Sequence, residues 1–373
     1  METSREFREH FPSIHESAYF ATCSLGAYSI GLEEAIGQML AEMREPALAW
    51  GAFERGVSAL RRSVGSFLGT DADRVAIVPN ATIGAYQVAT SIDWRKRPKI
   101  VTCAAEFPSI TRIWRAQAVR GAITSVIPDD TSIEMLTANY LASIDQYTGL
   151  VSIPACGYLY GQRFPVREIA EAAHRAGSQV FVDAFQLVGA EPMAPITAVA
   201  DHMVFGFSKY LLGLPGAAVL YSADPEPEGP APVLTGWMGA PDPFGRDAAL
   251  LTYSDTARRY ETGTPAIPAV YAAISGLRLL ERIPATAIRD HIRTLTEAAA
   301  SSLYGAGYQV CSPRSPHQRG PMIAVRHPNA HALAEALQQQ RIVTSPRADT
   351  VRFAFHYYNT SDDIDRLAAA LQD

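Results

Sequence analysis

Short apolar runs recur along the first two-thirds of the chain, at about 75–78, 100–103, 123–127, 150–153, 179–183, 203–206 and 217–221. Each is too short for a helix and is bounded by Gly, Pro or polar residues, which reads as a strand buried on both faces. Helical spacing fills most of the intervals. PVREIAEAAHRAG places its apolar residues three and four apart and closes on Gly177. Two further amphipathic helices, IGLEEAIGQMLAEMRE and AFERGVSALRRSVGSFLG, cover about 32–68 and are split by PALAWG. Alternation of this kind predicts an α/β fold, a mostly parallel seven-stranded sheet with helices on both faces. The pattern changes after the last of these strands. Residues 222–250 are rich in Pro, Gly and Asp and read as a long loop. From about 268 come two helices, short strands near YQV and MIAVR, the helix HALAEALQQQ and a final VRFAFHYYNTSDDIDRLAAALQ. The expected organisation is an arm at 1–17, a large domain at 18–267 and a smaller α+β domain at 268–373.

Composition narrows the function classes. A chain of 373 residues with 48% hydrophobic and 19% charged residues suits an ordinary globular protein with a substantial core. A net charge of −6 without a long Lys/Arg cluster argues against nucleic-acid binding. No apolar run approaches the roughly 18 residues of a membrane span, and METSREFREH is charged rather than signal-like. Cys23, Cys103, Cys156 and Cys311 are scattered, without CxxC or Cys/His metal spacing. A reduced, cytoplasmic protein without a metal is expected. Neither GxGxxG after the first strand nor GxxxxGK occurs, so the phosphate loops of dinucleotide and nucleoside-triphosphate enzymes are missing.

One residue stands out chemically. The 32 basic residues include only three lysines, Lys96, Lys99 and Lys209. Lys96 and Lys99 belong to the charged run WRKRPK, whereas Lys209 follows the apolar strand MVFGF and precedes a Gly- and Pro-containing turn. Lysine changes its pKa when desolvated and attacks carbonyls, which arginine cannot do. Asp183 ends the run QVFVD, at the carboxyl end of a strand, where open α/β sheets put ligands. A buried carboxylate there needs a cation or strong hydrogen bonds. An Asp facing a pyridinium nitrogen, with a later Lys, is the pattern of pyridoxal phosphate. Gln186, three residues on, is placed to hydrogen-bond a ring substituent.

VDAFQLVG and FSKYLLGLPGAAVLY resemble the class V aminotransferase family, the fold-type-I pyridoxal enzymes that include kynureninases, cysteine desulfurases and isopenicillin-N-epimerase-like proteins. The resemblance implies pyridoxal 5'-phosphate as cofactor, held as a Schiff base on Lys209 with Asp183 on the ring nitrogen. It also places Ala81 and Thr82 in the phosphate cup, Phe107 as the ring-stacking aromatic, Tyr158 near the phenolic oxygen, and Ser208 at a phosphate or ring contact. Trp237, in a Gly-Trp-Met-Gly element, falls near the substrate, and Arg352 takes the position that binds the substrate carboxylate. Gly263 and Thr264 resemble the turn that reaches the phosphate of the partner subunit's cofactor, which implies a homodimer with shared sites. Ser24 to Ala27 fall in a loop at the mouth. Desulfurases carry a nucleophilic cysteine shortly before the carboxyl-terminal arginine, and RIVTSPRADTVR has none. The expected reaction on an amino-acid-type substrate is therefore a carbon–sulfur β-elimination without a persulfide cysteine. Transamination or epimerisation is the alternative within the family, and a pyridoxal-fold binding protein without catalysis the alternative outside it.

Overall fold

The structure, a computed structural model, describes residues 2–45, 49–128, 132–224, 229–245 and 249–371. Parts of PALAWG and of the 222–250 loop lie outside the described residues.

The seven apolar runs form the strands β1 (Val75–Val78), β2 (Lys99–Cys103), β3 (Ile123–Ile127), β4 (Thr148–Pro154), β5 (Gln179–Asp183), β6 (His202–Gly206) and β7 (Ala218–Ser222). They pair in one seven-stranded sheet, in the order β1-β7-β6-β5-β4-β2-β3. Six of the strands run one way, and β7 lies antiparallel to both of its neighbours. The sheet is thus mostly parallel, with β7 as the exception. The alternation of side chains sorts the strands into two cores. Val101, Val180 and Val182 join the larger core, while Ile100, Phe181 and Val204 join the smaller one on the opposite face.

Each face is covered as the helical periodicity requires. The helix Val166–Arg175 buries Val166, Ile169, Ala170 and Ala173 against β4 and β5. Helix Ala81–Thr90 crosses β6 and β7 on the other side. It sits so close that a Cβ on Gly84 would stand 2.8 Å from Val204 Cγ1, so glycine is required there. The edge strand β3 leaves Ile123 exposed, as an edge permits.

The carboxyl-terminal part builds a four-stranded sheet. Met322–Arg326 pairs antiparallel with Thr350–Ala354, which also pairs with Ser345–Arg347. Two contacts tie the amino-terminal segment to this region. Ala18–Tyr19 pairs in parallel with Ile342–Val343, and Arg8 bonds Asp363 and the Tyr358 carbonyl. Helix Ile267–Leu280 packs on the helices Ile30–Arg44 and Trp50–Leu68. No helix of the described residues is long and apolar enough to cross a membrane.

Candidate active site

The carboxyl ends of the parallel strands converge on a cavity of about 240 Å³. Five strands, β1, β2, β4, β5 and β6, each deliver a group to it. The turn after β1 brings Asn80, Ala81 and Thr82; that after β2 brings Glu106 and Phe107. Cys156 and Tyr158 follow β4, Asp183 ends β5 with Phe185 and Gln186 after it, and Lys209 follows β6. Seven of the residues singled out from the sequence, from Ala81 to Lys209, therefore meet in one space.

Lys209 is held from two sides. Gly26 donates its backbone N–H to the Ser208 carbonyl at 2.8 Å. A Cβ on Gly26 would stand 2.5 Å from the Lys209 carbonyl oxygen, so only glycine lets this mouth segment pack on the lysine backbone. On the other side, His356 Nε2 lies 3.0 Å from the Tyr210 carbonyl. The ammonium sits 4.3 Å from the Phe185 ring centroid. Burial is the largest influence on its pKa, bringing it down to about 8; Asp183 opposes the shift, and Arg352 and Arg347 add to it.

Asp183 is buried and accepts the Phe185 N–H at 2.9 Å through Oδ1. A second carboxyl, Glu106, was not singled out from the sequence. It accepts from Phe107 N at 2.8 Å and from Ser152 Oγ at 3.1 Å, and Trp114 Nε1 donates to the same hydroxyl at 2.9 Å. Burial and the charge of Asp183 push the Glu106 pKa well above the usual carboxylate range. Burial also raises Asp183, while its backbone hydrogen bond and Lys209 pull it back. Both of these adjacent buried carboxyls thus cost more to ionise than in water, Glu106 the more strongly. Glu106→Ala removes the acceptor for a backbone N–H and a buried hydroxyl. It is expected to destabilise the protein by about 1–3 kcal/mol, and Glu106→Gln by less, as measured by denaturant unfolding.

The remaining residues fall outside the cavity lining. Arg352 is buried, and its guanidinium donates to the Tyr158 carbonyl at 2.9 Å, Ser345 Oγ at 2.6 Å, the Ser345 carbonyl at 3.2 Å and Ser24 Oγ at 3.2 Å. Ser208 is half-buried, its carbonyl engaged with Gly26. Trp237 is stacked on Trp50 at 5.6 Å. Met238 N donates to the Thr262 carbonyl at 3.1 Å, so the Gly-Trp element and the Gly263–Thr264 turn are neighbours. Gly263 and Thr264 are exposed and do not reach this chain's own cavity.

The residues fit pyridoxal phosphate. A buried carboxylate would meet a ring nitrogen, and a lysine of lowered pKa would meet an aldehyde. Gln186 Oε1 is buried without a protein partner and would accept from a ring substituent. Ala81 and Thr82 open a ten-residue helix whose first N–H groups have no intrahelical acceptor, which suits a phosphate. Among the described residues, no group of three or more His, Cys, Asp or Glu is placed to hold a metal.

The fold and site define a pyridoxal-phosphate enzyme of the fold-type-I class. Comparison makes the assignment specific. The family model for class-V aminotransferases matches residues 42–367. An uncharacterized aminotransferase YcbU of Bacillus subtilis is 31% identical over 98% of this chain and 97% of its own. A kynureninase of Deinococcus radiodurans is 27% identical over 88% and 79% respectively. The apo cysteine desulfurase of Thermococcus onnurineus superimposes with a TM-score of 0.88 at 19% identity, covering 100% of this chain and 98% of that one, which shows the shared fold. The chain belongs to the class-V aminotransferase family.

Proposed function

We propose that the enzyme eliminates a β-substituent, of carbon–sulfur type, from an amino acid or amino-acid conjugate. The carrying observation is a cavity that presents the Lys209 amine and whose one lining cysteine, Cys156, is buried. Cys156 is the cysteine that lines the cavity, and burial, reinforced by Glu191, pushes its thiol strongly up, away from the thiolate that persulfide chemistry needs. Cys311 is half-buried elsewhere, on the cleft lined by Tyr160 and Arg326.

Bound pyridoxal phosphate supplies an electron sink for the charge left at the substrate's α-carbon. In this reading Lys209 Nζ takes the α-proton, the Cβ–S bond breaks, the thiolate leaves and picks up a proton, and water hydrolyses the released enamine to a keto acid and ammonia. Asp183 would face the ring nitrogen and favour its protonated form, with Glu106 buried beside it. Phe107 and Tyr158 would wall the ring, Gln186 would serve its oxygen, and Ala81 and Thr82 would hold the phosphate, with Ser208 beside it. Arg352 orients the α-carboxylate. Transamination is the second reading, favoured by the 31% relation to a protein described as an aminotransferase. The deciding experiment mixes holoenzyme with a panel of amino acids and cysteine conjugates, and follows thiol, keto acid and the aminated cofactor. Thiol and keto acid in equal amounts support elimination; keto acid with aminated cofactor and no thiol overturns it.

The exposure of Gly263 and Thr264, away from their own chain's cavity, supports a homodimer in which they and Trp237 serve the neighbouring site. The protein is expected to sediment as a dimer. Thr264→Ala is expected to weaken cofactor retention about tenfold, as for one hydrogen bond to a charged group, measured by equilibrium dialysis of pyridoxal phosphate. A monomer that retains its cofactor at nanomolar dilution would contradict the shared site.

A further inference from the structure

The mouth of the cavity carries a cation that the proposed reaction leaves unused. Arg347 ends the strand Ser345–Arg347. Its guanidinium carbon stands 5.0 Å from the Tyr158 ring centroid and 5.6 Å from that of Phe107. Both rings line the cavity and meet edge to face at 5.3 Å. Lys209 Nζ lies 5.8 Å from the same Phe107 ring. Arg347 and the lysine therefore address one wall of the site, Arg347 from its solvent side.

Three observations bear on what this side chain does. The acid nearest to it along the chain, Asp349, pairs with Arg326 at 3.0 Å instead, and no carboxylate among the described residues pairs with Arg347. The hairpin that presents it is strained. Ala348 has φ 51, a left-handed conformation that alanine rarely adopts, and Thr350 Oγ1 closes the turn by donating to the Arg347 carbonyl at 2.8 Å. Lys209, Arg347 and Arg352 also converge on one end of the site, where both arginines bear on the lysine. Arg352 is already tied to Ser24, Ser345 and Tyr158, while the donors of Arg347 bond to no protein acceptor among the described residues. A guanidinium poised over aromatic faces is weakly hydrated and shaped to take a carboxylate in a fork.

We propose that Arg347 receives a second carboxylate carried on the substrate's side chain, so that the substrate class is amino acids, or their conjugates, with two acidic groups. The inference rests on the cavity being an α-amino-acid site, and it adds the side-chain charge.

The test uses unreactive probes. Holoenzyme is titrated with succinate, glutarate and butyrate, following the visible absorption of the cofactor and, separately, the heat of binding. Succinate or glutarate is expected to bind wild-type enzyme about tenfold or more tighter than butyrate. In Arg347→Gln the ratio of dicarboxylate to monocarboxylate affinity is expected to fall to near one. Arg347→Lys should keep an intermediate ratio, because an ammonium supplies charge without the fork. Equal wild-type affinity for the two kinds of acid overturns the inference without recourse to any variant. A ratio unchanged in Arg347→Gln overturns it as well. If butyrate binds as tightly as glutarate and neutral amino acids turn over, this inference alone has failed. If no carboxylate and no amino acid perturbs the cofactor, the amino-acid site itself is refuted and the inference falls with it.

Discussion

Replacing Lys209 with alanine is expected to leave a folded protein that turns over amino acids about 10²–10⁴-fold more slowly, the usual worth of a positioned acid–base group. Lys209→Arg should restore nothing, because a guanidinium neither attacks an aldehyde nor releases a proton near neutrality. Borohydride reduction of the holoenzyme, followed by peptide mapping, should place the cofactor on Lys209. Label on Lys99, which is paired with Asp145 at 2.8 Å, or on Lys96 would refute the assignment. The pH dependence follows from burial. With a pKa of about 8 against the usual 10.5, the neutral amine grows as pH rises through 8. Covalent uptake of pyridoxal phosphate by the apoprotein should therefore be slow at pH 6 and level off above pH ~9. Burial penalises the protonated lysine, and between about 8 and 10.5 the unfolded chain binds the extra proton. The apoprotein should thus gain stability across that window, and a denaturant series at several pH values reads it directly.

Much of this architecture is legible from local pattern. A strand buried on both faces must be short, apolar and bounded, and that pattern marked all seven strands of the sheet. Lys209 was legible because arginine has replaced lysine almost everywhere else, and Asp183 because a carboxylate ending an apolar strand needs a reason. What pattern could not show was direction and distance. The reversal of β7 depends on the route taken between Gly206 and Ala218, which periodicity does not encode. Glu106 is one acid in a loop until β2 and β5 place it beside Asp183; its signal was a carboxylate directly before the aromatic Phe107. The pairing of Ala18–Tyr19 with Ile342–Val343 spans most of the chain for two residues of ladder, and no local propensity marks it. Arg347 was hidden because its hairpin turns on Ala348, where a turn signal would be Gly or Asn. The neighbourhood of Trp237 and Thr264 was likewise invisible, since it is a contact between two loops.

Arg352→Ala is expected to lower kcat/KM by about tenfold to a hundredfold or more, the range for losing a hydrogen-bonded charge. The reason is geometric. Two parallel N–H···O bonds would orient the substrate's α-carbon, and that orientation decides which bond breaks. The present hydrogen bonds sharpen the expectation. Arg352 already spans Ser24 on the mouth segment, Ser345 on the hairpin and the Tyr158 carbonyl, so it joins three walls of the site. Its loss removes an anchor and also takes the guanidinium donors from the Tyr158 and Ser345 carbonyls, at a further cost of about 1–3 kcal/mol in stability. The two effects separate experimentally. Denaturant unfolding reads the structural part, and steady-state kinetics on a folded, yellow enzyme reads the anchoring part. Arg352→Lys should recover stability and activity only in part, since an ammonium cannot form the fork. The comparison with Arg347 separates the two carboxylates. Arg352→Ala should weaken binding of butyrate and glutarate alike, whereas Arg347→Gln should act on glutarate. A folded Arg352→Ala enzyme with unchanged kinetics would show that the α-carboxylate is held elsewhere, with Arg347 then the nearest cation to inherit the role.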